Sequence, residues 1–259
     1  MAISIDLTGR VALATGGSRG IGRGIALALA DAGADVAVNY NRDKEAADAV
    51  VNAIRAKGRK AEAYCASVED RTAMADMVGS VARDFGGLSI LVNNAGIASR
   101  GKGVADTDPD EFERVMRIHA LAPHHLSRLC IPHLRQNARS DIVMISSVAT
   151  LHNAPYGAPY NMGKAAMEAL AYTMAKEESQ FGMRVNVVAP SLTVSDMGNR
   201  LAKAVAGVAD IHELDARSPF GRVSTPEDVA AAVVWLVSDA NPYASGQKVN
   251  IDGAGFSMR

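Results

Sequence analysis

The chain of 259 residues has only two cysteines, one tryptophan and 5% aromatic residues. Cys65 and Cys130 form no metal spacing and no disulfide framework. They read as reduced, small core residues of a cytosolic protein. Neither sign of charge dominates: 27 Lys and Arg stand against 28 Asp and Glu, for a net charge of −1. Without a basic excess, nothing in the composition argues for nucleic acid or an anionic membrane surface. Apolar runs such as Val229 to Val237 fall far short of the ~20 residues a membrane span requires. The first residues, Met1-Ala2-Ile3-Ser4-Ile5-Asp6, lack the basic and apolar regions of a secretion signal, so a cytoplasmic location is expected. Repeats, low-complexity tracts and linkers are also missing, and residues 1–259 read as one domain.

What is present is alternation. Short apolar strands are expected near 11–15, 34–40, 61–65, 88–93, 141–147, 183–189 and 247–251. Helical patterns lie between them, near 20–32, 43–57, 69–85, 110–136, 158–181 and 226–238. Such alternation argues for an α/β fold: a Rossmann-like, doubly wound parallel sheet of about seven strands flanked by helices. Gly33 and Gly58 fit helix exits, and Thr225-Pro226-Glu227-Asp228 fits a capped helix entry. The stretch from Ser191 to Val223, about 191–223, has no clear periodicity and is expected to be a lid or substrate loop.

Two local patterns carry chemistry. After Val11-Ala12-Leu13-Ala14 comes the turn Thr15-Gly16-Gly17-Ser18-Arg19-Gly20-Ile21-Gly22. A glycine-rich turn between strand and helix offers backbone N–H groups and the positive end of a helix dipole to a phosphate. Gly16 suits a left-handed turn, Gly20 a close backbone approach, and Gly22 tight packing of the helix on the sheet.

The second pattern is Tyr160-Asn161-Met162-Gly163-Lys164, with Ser147 thirteen residues upstream of the tyrosine, after the apolar run Ile142 to Ile145. Tyr160 and Lys164, four apart on a helix, share a face. For tyrosine to act as an acid/base near neutrality its pKa must fall by roughly three, about 4 kcal/mol. A lysine cation at ~5 Å with an effective dielectric near ~20 would supply roughly 3 kcal/mol. Ser147 would hydrogen-bond the substrate oxygen. Ser146 has the same chemistry, but strand alternation points it to the other face.

With Gly16-x3-Gly20-x-Gly22, Asn93-Asn94-Ala95-Gly96, Ser147 and Tyr160-x3-Lys164 in order, the chain resembles the classical short-chain dehydrogenases/reductases over nearly its whole length. Ser245-Gly246-Gln247 and Asp252-Gly253 extend the likeness. Each motif alone is weak; four in this order and spacing are not. The resemblance implies Tyr160 as acid/base, Lys164 as pKa modifier and ribose ligand, and Ser147 as the orienting group. It places the cofactor against Gly16, Ser18, Arg19, Gly20, Ile21 and Gly22. It adds the strand ends at Asn39, Tyr40, Asn41 and Arg42, then Ser67 and Val68, and Asn94, Ala95 and Gly96. Pro190, Ser191, Thr193 and Ser195 complete the set, with Tyr160 and Lys164 at the nicotinamide ribose.

The sequence departs from the family at several of these positions. His119, in Ile118-His119-Ala120, stands where a helix asparagine supports a proton-relay water. If that relay uses a backbone carbonyl exposed by a kink, histidine preserves it; if it uses the amide, the relay is altered. His124 and His125 lie nearby without metal spacing, and Pro123 interrupts the helix; no metal is expected. Ser191 replaces a usual glycine, Ser195 a threonine, and Ser67 an aspartate that meets adenine. NAD-preferring members end the second strand with an acidic residue. Here Val38-Asn39-Tyr40-Asn41-Arg42 has none before Asp43, while Arg19 and Arg42 suit a 2′-phosphate. NADP(H) is therefore favoured over NAD(H).

The expected activity is hydride transfer between NADP(H) and a small carbonyl or secondary alcohol. The alternative is a 3-oxoacyl thioester reductase, acting on an acyl-carrier-protein or coenzyme A substrate. Arg135 and Arg139 would suit an acidic carrier, but Lys176-Glu177-Glu178-Ser179-Gln180-Phe181 is not basic. A nucleotide-sensing module without turnover would not need Ser147, Tyr160 and Lys164 together. His152, Asn153 and Tyr156 are expected at the substrate pocket. The helix carrying Tyr160 is apolar around much of its circumference, through Met162, Ala166, Met167, Leu170, Ala171, Met174 and Ala175. With the resemblance, this implies pairing across a two-fold axis and a homotetramer.

Overall fold

The computed structural model describes residues 5–254; the first four residues of the N-terminal stretch read above lie outside them. The elements alternate: β1 (Val11–Ala14), α1 (Gly20–Asp31), β2 (Asp35–Tyr40), α2 (Lys44–Arg55), β3 (Ala61–Cys65), α3 (Arg71–Phe85) and β4 (Ile90–Asn93). Then follow α4 (Pro109–Met116), α5 (Ala122–Leu134), β5 (Ser140–Ile145), α6 (Ala149–His152), α7 (Ala158–Glu177) and β6 (Met183–Pro190). The series ends with α8 (Asp196–Ala206), α9 (Pro226–Val237) and β7 (Lys248–Ile251).

All seven strands pair in parallel in the order β3-β2-β1-β4-β5-β6-β7. Strand alternation divides the apolar residues between two cores. Ala12, Ala14, Ile90, Val92 and Val188 meet α1, α2 and α9 on one face. Leu13, Leu91, Val185 and Val187 meet α3, α5 and α7 on the other. Gly24 lets α1 and α9 close: a Cβ there would lie 2.8 Å from Pro226 Cβ. The strand order reverses between β1 and β4, and a doubly wound sheet opens its crevice at that point.

At the opposite end of the sheet, buried Asp141 staples four strands. Arg10 Nη2 reaches its Oδ2 at 2.9 Å and Arg184 Nη2 its Oδ1 at 2.5 Å. Arg139 Nε stands 3.7 Å away. Arg10 also binds the Ser89 hydroxyl and carbonyl.

Two expectations need correction. The helix expected over 110–136 is broken by a π turn, Arg117–Leu121, between α4 and α5. Pro123 has no N–H to offer the His119 carbonyl, its partner in a regular α-helix, and it falls in the first turn of α5 rather than ending the helix. The stretch 191–223 is not irregular. It carries α8, capped by Ser195, and a small core of Ala202, Ile211, Leu214 and Val223. Only Gly198 and Ala202 of α8 are buried, which is too little apolar pattern to mark a helix in sequence.

Candidate active site

The glycine turn leaves β1 at the crevice. Gly16 (φ +61°) and Gly20 (φ +53°) are left-handed, a conformation other residues rarely adopt. A Cβ on Gly22 would lie 2.2 Å from the Gly16 carbonyl oxygen and 2.5 Å from Asn94 Nδ2. The helix therefore seats directly on the turn. Thr15 and Asn94 fasten it: Thr15 Oγ1 accepts from the N–H groups of Asn94 (2.9 Å) and Ala95 (3.0 Å), and Asn94 Nδ2 donates to the Thr15 carbonyl at 2.7 Å. α1 begins with Arg19 at its cap, no side-chain cap bond and no acidic residue in its first turn. Its positive end is thus left to whatever enters the crevice. This cradle fits a dinucleotide pyrophosphate.

The other expected cofactor positions lie at or after the strand ends and differ in exposure. Arg19, Asn41 and Arg42 are exposed, Ser18 and Tyr40 buried. Asn39 is turned inward: its Oδ1 accepts from Gly16 N–H at 3.2 Å and its Nδ2 donates to the Ala66 carbonyl at 2.9 Å. Its side chain shapes the turn. Ser67 and Val68 are half-buried after β3, as are Ile21, Gly96 and Ser191. Pro190 ends β6, and Thr193 is buried, with Oγ1 donating to the Ser191 carbonyl at 3.0 Å. Ser195 caps α8, and its Cβ would lie 3.4 Å from a Cβ on Gly20. The start of α8 therefore roofs the phosphate turn.

Tyr160, Ser147, Lys164 and His119 converge beyond the ends of β4 and β5. The Ser147 hydroxyl stands beside the Tyr160 side chain, and its Oγ accepts from Ala149 N–H at 3.1 Å. Ser146 turns the other way and donates to Glu168 Oε1 at 2.6 Å. Lys164, 4% exposed, donates to the Ile145 carbonyl at 2.7 Å and lies 5.7 Å from the centre of the Tyr160 ring. The His119 and Tyr160 rings meet edge to face, centres 5.2 Å apart. His119 Nε2 stands 2.7 Å from the Ile97 carbonyl, and its Nδ1 is buried without a partner. α7 comes close because residue 163 is glycine: a Cβ there would be 2.8 Å from His119 Cβ.

The electrostatics differ from the expectation that one lysine lowers Tyr160. Burial raises Tyr160 above its ordinary value, and the Ser147 hydrogen bond is what pulls it down. Burial also lowers Lys164 to about 7, against the opposing pull of Glu168. A lysine half-charged at neutrality is a weak activator of its neighbour. Burial, then the charge of Lys164, hold His119 down to about 3, while its bond to the Ile97 backbone pulls the other way. The imidazole is therefore neutral through the physiological range.

Two features were not anticipated from sequence: Thr15 as a fastener, and the pair of buried Glu168 and half-buried Lys248, whose Nζ–Oε1 distance is 2.8 Å. The spacing of Glu168 from Lys164 was a signal. Among the described residues no group of three or more His, Cys, Asp or Glu could hold a metal, and no helix is long and apolar enough to cross a membrane.

Comparison with known proteins bears on this geometry. A family model described as Enoyl-(Acyl carrier protein) reductase matches residues 16–257. The chain belongs to the short-chain dehydrogenase/reductase family, whose members are nicotinamide-dependent oxidoreductases. Versicolorin reductase 1 of Aspergillus parasiticus is 37% identical, covering 96% of this chain and 97% of its own. The 3-oxoacyl-(acyl-carrier-protein) reductase of Staphylococcus aureus is 36% identical, covering 93% and 96%. A short chain dehydrogenase from Burkholderia cenocepacia, solved in complex with NADP, superposes with a TM-score of 0.86 at 35% identity, covering 95% and 98%.

Proposed function

We propose that the protein is an NADPH-dependent carbonyl reductase, acting on a ketone within the crevice between the glycine turn and α7. The observation that carries this reading is the meeting of Ser147, Tyr160 and Lys164 at one point, with the Ser147 hydroxyl close enough to act on Tyr160 and Lys164 Nζ 5.7 Å from the centre of its ring. When bound, the nicotinamide supplies the hydride. Ser147 donates a hydrogen bond to the carbonyl oxygen and holds it in line. Tyr160, kept protonated by burial, donates its proton to that oxygen as negative charge develops there. Lys164 holds the ribose hydroxyls together with Tyr160 and replaces the proton that Tyr160 gives up. The π turn supports the relay through the His119 backbone, since Pro123 cannot bond its carbonyl. Oxidation of NADPH with matching formation of alcohol, across a panel of ketones and coenzyme A thioesters, tests the reading.

If the relay runs through backbone, the side chain at 119 is exchangeable. His119→Asn is expected to keep kcat within about tenfold of the native enzyme, well short of the ~10²–10⁴-fold that general acid–base groups supply. Since His119 is neutral down to about 3, the kcat–pH profile should show no histidine limb near pH ~6.5. A loss beyond a hundredfold would assign the relay to the imidazole itself.

The cofactor preference rests on Arg19 at the start of α1 and Arg42 in the turn after β2, both exposed, and on the absence of a carboxylate at the end of β2. NADPH should be preferred over NADH in kcat/KM, and Arg19→Ala should narrow the gap by roughly tenfold or more, as a charge-assisted pair is worth about 1.5–3 kcal/mol. Equal values for the two cofactors in the native enzyme would remove the phosphate-recognition argument.

The carrier-protein form of the thioester reading is disfavoured by a specific observation. Arg135 is bonded twice to Glu178 and stacks on Phe181, and Arg139 is tied to Asp239. Neither cation is left over for an acidic carrier. The outward face of α7 supports self-association: Met162 is 51% exposed, and neighbouring Leu121 is 57% exposed. A cytoplasmic homotetramer paired through this helix completes the proposal.

A further inference from the structure

Glu168 lies one turn beyond Lys164 on α7 and is buried, 8% exposed. A carboxylate is costly to bury unless it is paired and hydrogen-bonded, and Glu168 is both. Ser146 Oγ donates to its Oε1 at 2.6 Å, and Thr150 Oγ1 lies 2.8 Å from the same oxygen. Lys248 Nζ donates to Oε2 at 3.0 Å and to Thr150 Oγ1 at 2.6 Å. The network therefore joins α7, the end of β5, α6 and β7.

Its placement brackets the orienting serine. Lys164 holds the Ile145 carbonyl at 2.7 Å, Glu168 holds Ser146, and Thr150 Oγ1 stands 3.0 Å from the Ser147 carbonyl. Three consecutive residues are thus gripped by one face of one helix and its partners. We propose that Glu168 is a positioning residue for the reaction, fixing the Ser147 turn and serving as the buried counter-charge of Lys164, with Lys248 as its own counter-ion. The proposal rests on the roles assigned above to Ser147 and Lys164.

The electrostatic part has a definite sign. Side chains four apart on a helix are neighbours, and the negative charge of Glu168 favours the ammonium form of Lys164 against burial. Lys248 opposes this by neutralising part of the Glu168 charge. The other titratable groups around the pair are His119 from the π turn, neutral above about 3, and Tyr160 and Tyr172 from α7, both raised by burial. α5 brings the buried thiol of Cys130, also raised by burial, and β6 meets α7 through Val185 and Val187. Glu113 and Arg114 of α4 and His152 of α6 are exposed. Glu168 is the charged group that acts on Lys164, and Lys248 is paired to Glu168.

The two substitutions must therefore act in opposite directions. The charged form of Lys164 is lost as pH rises through its value of about 7. Glu168→Gln removes the favourable charge, so the loss should move to lower pH by about one unit, a tenfold change in the charged-to-neutral ratio. Lys248→Met leaves Glu168 uncompensated, so the loss should move to higher pH. The measurement is an NMR titration of isotope-labelled lysine side chains in the cofactor-free protein, with Lys164→Met assigning the signal. The kcat–pH profile is followed in parallel.

Shifts of opposite sign support the proposal, and Lys248→Met carries the same signed expectation should Glu168→Gln fail to fold. Midpoints that stay at the native value in the folded variants overturn it, even if turnover falls, because a purely structural role would leave Lys164 unmoved. If the native protein reduces no carbonyl while the midpoints shift as expected, the network stands as the counter-charge of Lys164 and the carbonyl-reductase reading fails.

Discussion

Tyr160→Phe is expected to lower kcat by about 10²–10⁴-fold, while NADPH affinity falls by no more than about tenfold, the worth of the one hydrogen bond its hydroxyl gives the ribose. The substitution removes one hydroxyl from a ring that is otherwise held by packing, including the edge contact with His119 at 5.2 Å. The ring stays, so the crevice stays. What is lost, in the proposed reaction, is the proton that Tyr160 gives to the substrate oxygen beside Ser147. No other group takes its place, because Lys164 passes its proton on through Tyr160 and also donates to the Ile145 carbonyl. Steady-state kinetics with fluorescence titration of NADPH separates the two effects. A variant retaining more than about a tenth of the native kcat would remove Tyr160 from the proton transfer.

The second large effect concerns stability. Asp141→Asn should destabilise the fold by about 3–5 kcal/mol, the cost of breaking a buried charged network on one side. Asp141 is 1% exposed and answers Arg10, Arg184 and Arg139. Asparagine is isosteric, but it would turn an N–H₂ group toward a guanidinium and leave three cations without their shared anion. The residue sits at the end of the sheet opposite the active site, so kcat of the folded fraction should hardly change. Urea unfolding followed by circular dichroism gives the stability directly. A change under about 1 kcal/mol would mean that the hydrogen bonds of the arginines to the Ser89 and Leu236 carbonyls hold this edge without the charge.

Most of the sheet was legible because a buried parallel strand is a short apolar run with turn residues on both sides. Each of the seven strands falls within a few residues of its expected place. The nearness of the proposed catalytic residues was legible for a different reason: helix periodicity places Tyr160 and Lys164 on one face, and the strand end supplies Ser147. The π turn was half legible. Pro123 marks a break in hydrogen bonding, but only the three-dimensional path shows that the chain absorbs it by one wider turn and continues as α5. α8 was hidden because its buried positions are Gly198 and Ala202, residues with little apolar signature.

The electrostatics were the least legible. A sequence argument can put a lysine four residues from a tyrosine, but it cannot weigh the desolvation that lowers Lys164 and raises Tyr160. Asn39 illustrates the same limit at the cofactor edge. Its position at the end of β2 suggested a ligand contact, while its side chain is spent on Gly16 and Ala66.

The central claim is that this crevice moves a hydride onto a carbonyl carbon. The most direct test uses NADPH deuterated at the transferable position, incubated with a panel of ketones and coenzyme A thioesters, including an enoyl thioester. NADPH oxidation is expected, with deuterium on the carbon bearing the new hydroxyl, and Tyr160→Phe should abolish it. Deuterium appearing in a reduced carbon–carbon double bond instead, or NADPH bound but never oxidised by any carbonyl in the panel, would contradict it.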